Sequence, residues 1–200
     1  MSRLNKKLII QTERCKERLL IDGFDELSVM RNLTTLYSAL DADNQLEFLE
    51  VFYARYLKTY KKIKKRPPTD DIYDLAELYL IDLLTVPNEV TKYTYDTEVI
   101  RKRDRAIESV NATQGVQFKQ AEINKAMRYW TMQTGFYMDI LCEDAHKRAL
   151  KDAGVKRVRW YTLEDDKVCD ACEDLDGEEF DIDDIPSPPH PRCRCHVEAI

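Results

Sequence analysis

Residues Trp160 to Val197 read W-Y-T-L-E-D-D-K-V-C-D-A-C-E-D-L-D-G-E-E-F-D-I-D-D-I-P-S-P-P-H-P-R-C-R-C-H-V. Four of the chain's six cysteines and two of its three histidines lie in this stretch. Cys169 and Cys172 make one C-x-x-C. His190 and Cys193 repeat the two-residue gap further on, and Cys195 and His196 follow at once. Two such pairs are the spacing of a structural zinc site, in which two short turns complete one tetrahedron. The stretch has few large apolar residues and many carboxylates, so a hydrophobic core alone does not suffice to fold it. A bound metal supplies the missing folding free energy.

The expected ligands are Cys169, Cys172, His190 and Cys193, with Cys195 as the alternative to His190. Four protein ligands leave no open position for a catalytic water, so the zinc is structural and no catalytic residue is assigned. A disulfide clip and free thiols are the competing readings. A redox C-x-x-C needs a depressed thiol pKa, whereas Asp170, Glu173 and Asp174 raise it. A zinc deaminase places H-x-E before P-C-x-x-C. Here His196-Val-Glu198 comes after the C-x-x-C, and no proline precedes Cys169. Cys142 and His146 share one helical face at i and i+4. With no third ligand near them in sequence, they read as a packed cysteine and a surface histidine.

The same residues resemble a known family. Trp160, Thr162, Asp165-Asp166, Val168, Cys169, Cys172, Leu175-Asp176-Gly177, Phe180 and Pro189-His190-Pro191-x-Cys193-Arg194-Cys195 are similar to the C-terminal signature of phage Mu F-like minor head proteins, also called phage head morphogenesis proteins. With the preceding helix, the resemblance covers roughly residues 115–200. It implies a virion component made in the host cytoplasm: a minor capsid protein in several copies around the portal. Its implied partners are the portal protein, the major capsid protein or both, and its implied role is head morphogenesis, DNA packaging or ejection.

Charge divides the chain. Residues 1–66 carry 14 Lys/Arg against 9 Asp/Glu, whereas residues 160–200 carry 3 against 13. An acidic module repels phosphate. Contact with packaged DNA is therefore sought at Lys61, Lys62, Lys64, Lys65 and Arg66, a run that also reads as a solvated helix end complementing the helix dipole. Two other functions compete with the head protein. A metal-dependent hydrolase or toxin-type effector would use Asp165, Asp166, Asp176 and His190, though the chain has no G-x-S-x-G, phosphate loop or H-E-x-x-H. A DNA-binding regulator would use the basic N-terminal helices. No apolar run approaches a membrane span, and the N-terminus lacks a secretory core, so a reducing cytoplasm is expected.

With 5 glycines and 7 prolines in 200 residues, helices are favoured over a strand-and-turn fold. The expected fold is mostly α: a helical region over 1–114 suited to portal or capsid docking, and a Mu F-like domain over 115–200. That domain comprises a long helix over 118–153 and a small α+β zinc-binding module over 155–200. Within the helical region, Leu4, Leu8, Cys15 and Leu19 mark a first helix over 2–21. A second helix is expected over 25–40, and Asp41 reads as the N-cap of a third. The third carries a stripe of Leu46, Leu49, Phe52, Tyr56, Tyr60 and Ile63 and stops at Pro67-Pro68. A fourth is expected over 69–84, a short strand within 88–96, and a charged helix over 97–110. Gly154 reads as a C-cap and Leu175-Asp176-Gly177 as a hairpin turn.

Overall fold

The computed structural model describes residues 3–88, 91–163, 168–187 and 193–200, with side chains from Lys6 onward. Its elements run α1 (Arg3–Asp22), α2 (Glu26–Lys64), α3 (Tyr73–Thr85), α4 (Tyr95–Ala112), α5 (Val116–Asp152), β1 (Arg157–Tyr161), α6 (Asp170–Glu173), β2 (Glu179–Asp181) and β3 (His196–Ala199). The chain is mostly α with a three-stranded sheet near its C-terminus. It gathers into two compact units, Met1–Phe48 with Leu80–Tyr137, and Leu49–Tyr79 with Met138–Ile200.

The first unit is a helical core. Leu19, Val29, Leu33, Val110 and Ile123 are fully buried, and Tyr37 meets Trp130 edge-to-face at 5.1 Å. The expected stripe on α1 holds at Cys15 and Leu19, with Leu8 partly buried against them, while the Leu4 side chain lies outside the described part. Asn44 is 2% exposed and donates to Tyr95 Oη and Thr134 Oγ1, both at 3.0 Å. Tyr95 in turn hydrogen-bonds the Asp41 carboxylate, whose pKa burial pushes up. Thr94 caps α4, accepting from Thr97 N at 3.1 Å.

The second unit contains a group of packed aromatic residues and the sheet. Phe52 lies 4.7 Å from Tyr79, Tyr53 stacks on Tyr73 at 4.4 Å, and Tyr56 donates to Asp152 Oδ2 at 2.8 Å. Strand order is β2-β1-β3, both pairings antiparallel, with Val158 opposite Phe180 and Trp160 opposite Val197. The alternating burial of β1 sends Val158 and Trp160 inward. Their companions Arg157 and Arg159 both reach Glu179, at 3.0 and 2.6 Å.

Several expectations are corrected. Asp41 does not start a helix, because α2 runs unbroken from Glu26 to Lys64. No glycine or proline interrupts it, and each polar residue that looked like a cap finds a partner. Asp41 takes Gln45 at i+4 and Tyr95, and Asn44 turns inward. Beyond Asp41 the inward face of α2 continues through Asn44, Phe48, Phe52 and Tyr56, so Leu46 is left exposed. Helix α3 starts at Tyr73, whose N–H is taken by Asp71 Oδ1, and not at Thr69. The described part of 88–96 is turn followed by α4, not strand, and Val90 lies outside the described residues. Gly135 sits inside a continuous α5 with no neighbour crowding it. Gly154 does cap α5: at φ +80° it donates to Lys151 O while Val155 N reaches back to Leu150 O.

A candidate metal centre in the C-terminal module

Local backbone chemistry builds the first cysteine turn. Cys169 stands in extended conformation before α6, and its carbonyl accepts from both Cys172 N and Glu173 N at 2.9 Å. That turn carries Cys172 inward, 2% exposed, while Cys169 stays half-buried. Leu175-Asp176-Gly177 then leads into β2. Asp176 Oδ1 accepts from Thr162 N at 2.7 Å, and Gly177, at φ +78°, donates to Trp160 O at 2.9 Å. These bonds pin the cysteine turn to the end of β1. They also show that this sequence opens β2 and is not a tight hairpin joining β1 to β2.

Cys193 and Cys195 arrive on the segment just before β3. Cys172 Sγ and Cys193 Sγ lie 3.5 Å apart, and the sulfurs of Cys172, Cys193 and Cys195 are all within 4.8 Å of one another. Cys169 adds to the upward shift of the Cys172 thiol but is not among the sulfurs that lie within 4.8 Å of one another. A tetrahedral thiolate site with metal–sulfur bonds near 2.3 Å has sulfur–sulfur edges of about 3.8 Å. The observed cluster fits that size. Burial pushes the Cys172 thiol far up, with Cys169, Cys195 and Cys193 adding to the shift. Burial raises Cys193 as well. Crowded sulfurs in a half-dry site resist ionising beside one another, and a divalent cation reverses that balance by taking their negative charge.

Of the expected ligands, Cys172 and Cys193 are thus brought together, joined by Cys195, the alternative ligand, while Cys169 on the same turn is not one of the three clustered sulfurs. His190, Asp165 and Asp166 lie outside the described residues. Behind the sulfurs, Leu150, Val158, Trp160 and Val197 form a small buried cluster with Phe180, Ile182 and Cys195 packed on it. Trp160 crosses Phe180 at 72° with ring centres 6.5 Å apart.

Cys142 is packed, as expected, and burial raises its pKa. His146 is not a surface residue. Its Nδ1 meets Thr59 Oγ1 at 2.9 Å and its Nε2 meets Val197 O at 2.8 Å. A carbonyl only accepts, so Nε2 carries the proton and Nδ1 accepts from the Thr59 hydroxyl. Burial holds the imidazole below its ordinary pKa, only partly opposed by the Val197 bond. His146 is therefore a clamp on β3, the strand that follows the second cysteine pair. Its i+4 spacing from Cys142 drew attention to it, but nothing local in the sequence announces a partner on Val197. His196 lies against Tyr161 with ring centres 5.9 Å apart.

The basic run at the end of α2 is exposed. Lys62 pairs with Glu198 of β3 at 3.1 Å, and Lys65 leaves the helix at φ 57°.

Residues 141–198 match the family model described as phage Mu protein F like protein. The C-terminal part of this chain is thus similar to phage Mu protein F. The matched span begins inside α5 at Leu141, next to the Cys142–His146 turn, and ends in β3, so it takes in the sheet, the cysteine cluster and the His146 clamp. No curated protein and no solved structure matches the chain. Among the described residues, no helix is long and apolar enough to cross a membrane.

Proposed function

We propose that the protein is a minor head protein of a tailed bacteriophage, associated with the portal and acting in head morphogenesis, DNA packaging or ejection. The observation that carries this is the Mu F-like match over 141–198, which supports a phage head morphogenesis protein. On this reading the C-terminal module is a rigid, non-catalytic connector. A structural zinc on Cys169, Cys172 and Cys193, with Cys195 or His190 as the fourth ligand, is the favoured filling of the cluster. Protein atoms on all four corners leave no place for a reacting water. Arg157 and Arg159 are tied to Glu179, whereas the carboxylates of 160–200 far outnumber its cations. This acidic character suits a basic protein surface on the portal or capsid and keeps the module from adhering to packaged DNA. If DNA is touched by this unit, Lys61, Lys64, Lys65 and Arg66 are the groups to touch it.

The test is the composition of purified heads. Quantitative mass spectrometry of DNA-filled particles is expected to find this chain at far fewer copies than the major capsid protein. It should be retained on portal-containing particles and lost from shells assembled without portal. Absence from every particle ends the reading.

A further inference from the structure

The first unit carries a cavity of about 450 Å³ that lies outside the Mu F-like match. It opens between α4 and α5 beside Tyr37, in the size range of small-ligand sites. The small side chains of Ala106 and Ala126 make room for it. Ser109 Oγ donates to Glu122 Oε2 at 2.7 Å and fixes the two helices to each other at this place. The buried Tyr37 donates to Lys102 O at 3.2 Å and fixes α4 to α2. The walls are therefore held from three helices.

Its charge is one-sided. Lys102, Arg105 and Lys125 line it against a single carboxylate, Glu122. Glu122 is already engaged by Ser109 and by Lys125 at 3.4 Å, and these bonds keep it ionised. Among the described residues, the side chains of Lys102 and Arg105 enter no ion pair. They sit on a helix where Arg101 is held by Glu98 and Arg103 by Asp104. Three cations less one carboxylate leave a surplus of two positive charges, which matches one phosphoryl group near neutral pH. Arg105 offers the planar donor fork that suits phosphate oxygens. The lining also contains Tyr129, half-exposed, a flat face of the kind on which nucleobases stack.

We propose that this cavity binds a nucleotide unit, with its phosphate on Lys102, Arg105 and Lys125 and its base against Tyr129. A single carboxylate from an acidic protein would leave one of the two surplus charges unmatched and would make no use of the tyrosine face. The inference does not depend on the head-protein reading. It concerns a different unit, and the phosphate has two sources, a free nucleotide or a nucleic-acid strand.

Isothermal titration calorimetry on the full chain at low salt separates them, using ADP, inorganic pyrophosphate and a short oligothymidylate. Binding of ADP or of the oligonucleotide is expected, and whichever binds more tightly names the source. Arg105→Glu, a change at an exposed position, should weaken that binding at least tenfold. Tyr129→Ala should weaken ADP or oligonucleotide several-fold while leaving pyrophosphate unchanged. Arg14→Glu, on α1 and outside the cavity lining, should do neither. Circular dichroism checks that each variant folds, and Lys125→Glu serves should Arg105→Glu misfold. The proposal is overturned by no heat from any of the three ligands at millimolar concentration, or by wild-type affinity in both charge-reversal variants. It is overturned equally by pyrophosphate binding alone, or by a glutamate-rich peptide binding where the phosphate compounds do not.

Discussion

The two units are held together by different means. The first buries twelve residues in one continuous apolar cluster drawn from α1, α2, α4 and α5. The sheet module of the second buries four, with partly covered neighbours around them. Ordering a residue costs about 1–2 kcal/mol of backbone entropy, and a buried large side chain returns about 1.5–3 kcal/mol. Twelve such side chains on long helices, where hydrogen bonds are local, make a self-sufficient core. Four side chains, one on α5 and three on the short strands β1 and β3, make a far smaller core, and the sulfur cluster lies beside it.

The largest expected effect separates the two units outright. Chelation, or Cys172→Ser with Cys193→Ser, should remove about one zinc per chain and, on the scale of structural zinc sites, on the order of 10 kcal/mol of folding free energy from the module. Elemental analysis and amide NMR would show the metal gone and the signals of β1, β2 and β3 collapsed, with those of the α1–α2 core intact. Metal-free protein with an intact sheet would sink the contrast. Next come substitutions inside each core. Trp160→Ala should cost about 3–5 kcal/mol and Leu33→Ala about 2–5 kcal/mol in urea unfolding. Only the Trp160 variant should lower zinc affinity.

A smaller effect comes from the buried polar ties. Asn44→Ala leaves Tyr95 Oη and Thr134 Oγ1 without their donor and should cost about 1–3 kcal/mol in thermal melts. His146 gives a pH signature. Its folded pKa lies below the unfolded value of about 6.5, so the unfolded chain binds the extra proton first. Stability from this group is complete above that value and falls as pH drops through it toward the folded pKa. Urea titrations from pH 8 to 5 should show a slope that His146→Gln reduces, the variant also serving to subtract acid-driven metal loss. The smallest effect belongs to the Lys62–Glu198 pair. It is solvent-exposed, and Lys62→Ala should change stability by less than about 1 kcal/mol.

How far each part was legible follows from how local its cause is. Helix α5 and its end were readable because Met127, Trp130, Leu141 and Ala145 recur at helical spacing and Gly154 supplies the positive φ that a cap needs. The C-x-x-C turn was readable because a hydrogen bond from Cys172 to Cys169 spans only that motif. The false break at Asp41 arose where local and distant causes disagree. A capping residue with a free backbone would start a helix, but Tyr95, far along the chain, takes up its carboxylate instead. The part played by His146 was hidden for the same reason, since both its partners, Thr59 and Val197, are remote in sequence. Sequence spacing pointed to cysteines that would gather, and the fold brings Cys195 into the same cluster as Cys172 and Cys193.

The pairing of β1 with β3 has a kinetic consequence. Val158 lies opposite Ala199, so the sheet is completed only when a long acidic segment has looped back on itself. Such a closure grows costlier with loop length, though slowly, and like charges along the loop oppose it further. A link between Cys172 and the Cys193–Cys195 pair cuts that one large loop into two smaller ones. If metal is captured before β3 docks, the search for the final register is shortened. Refolding in excess zinc would then be fast and single-phased, and refolding in chelator slow or incomplete.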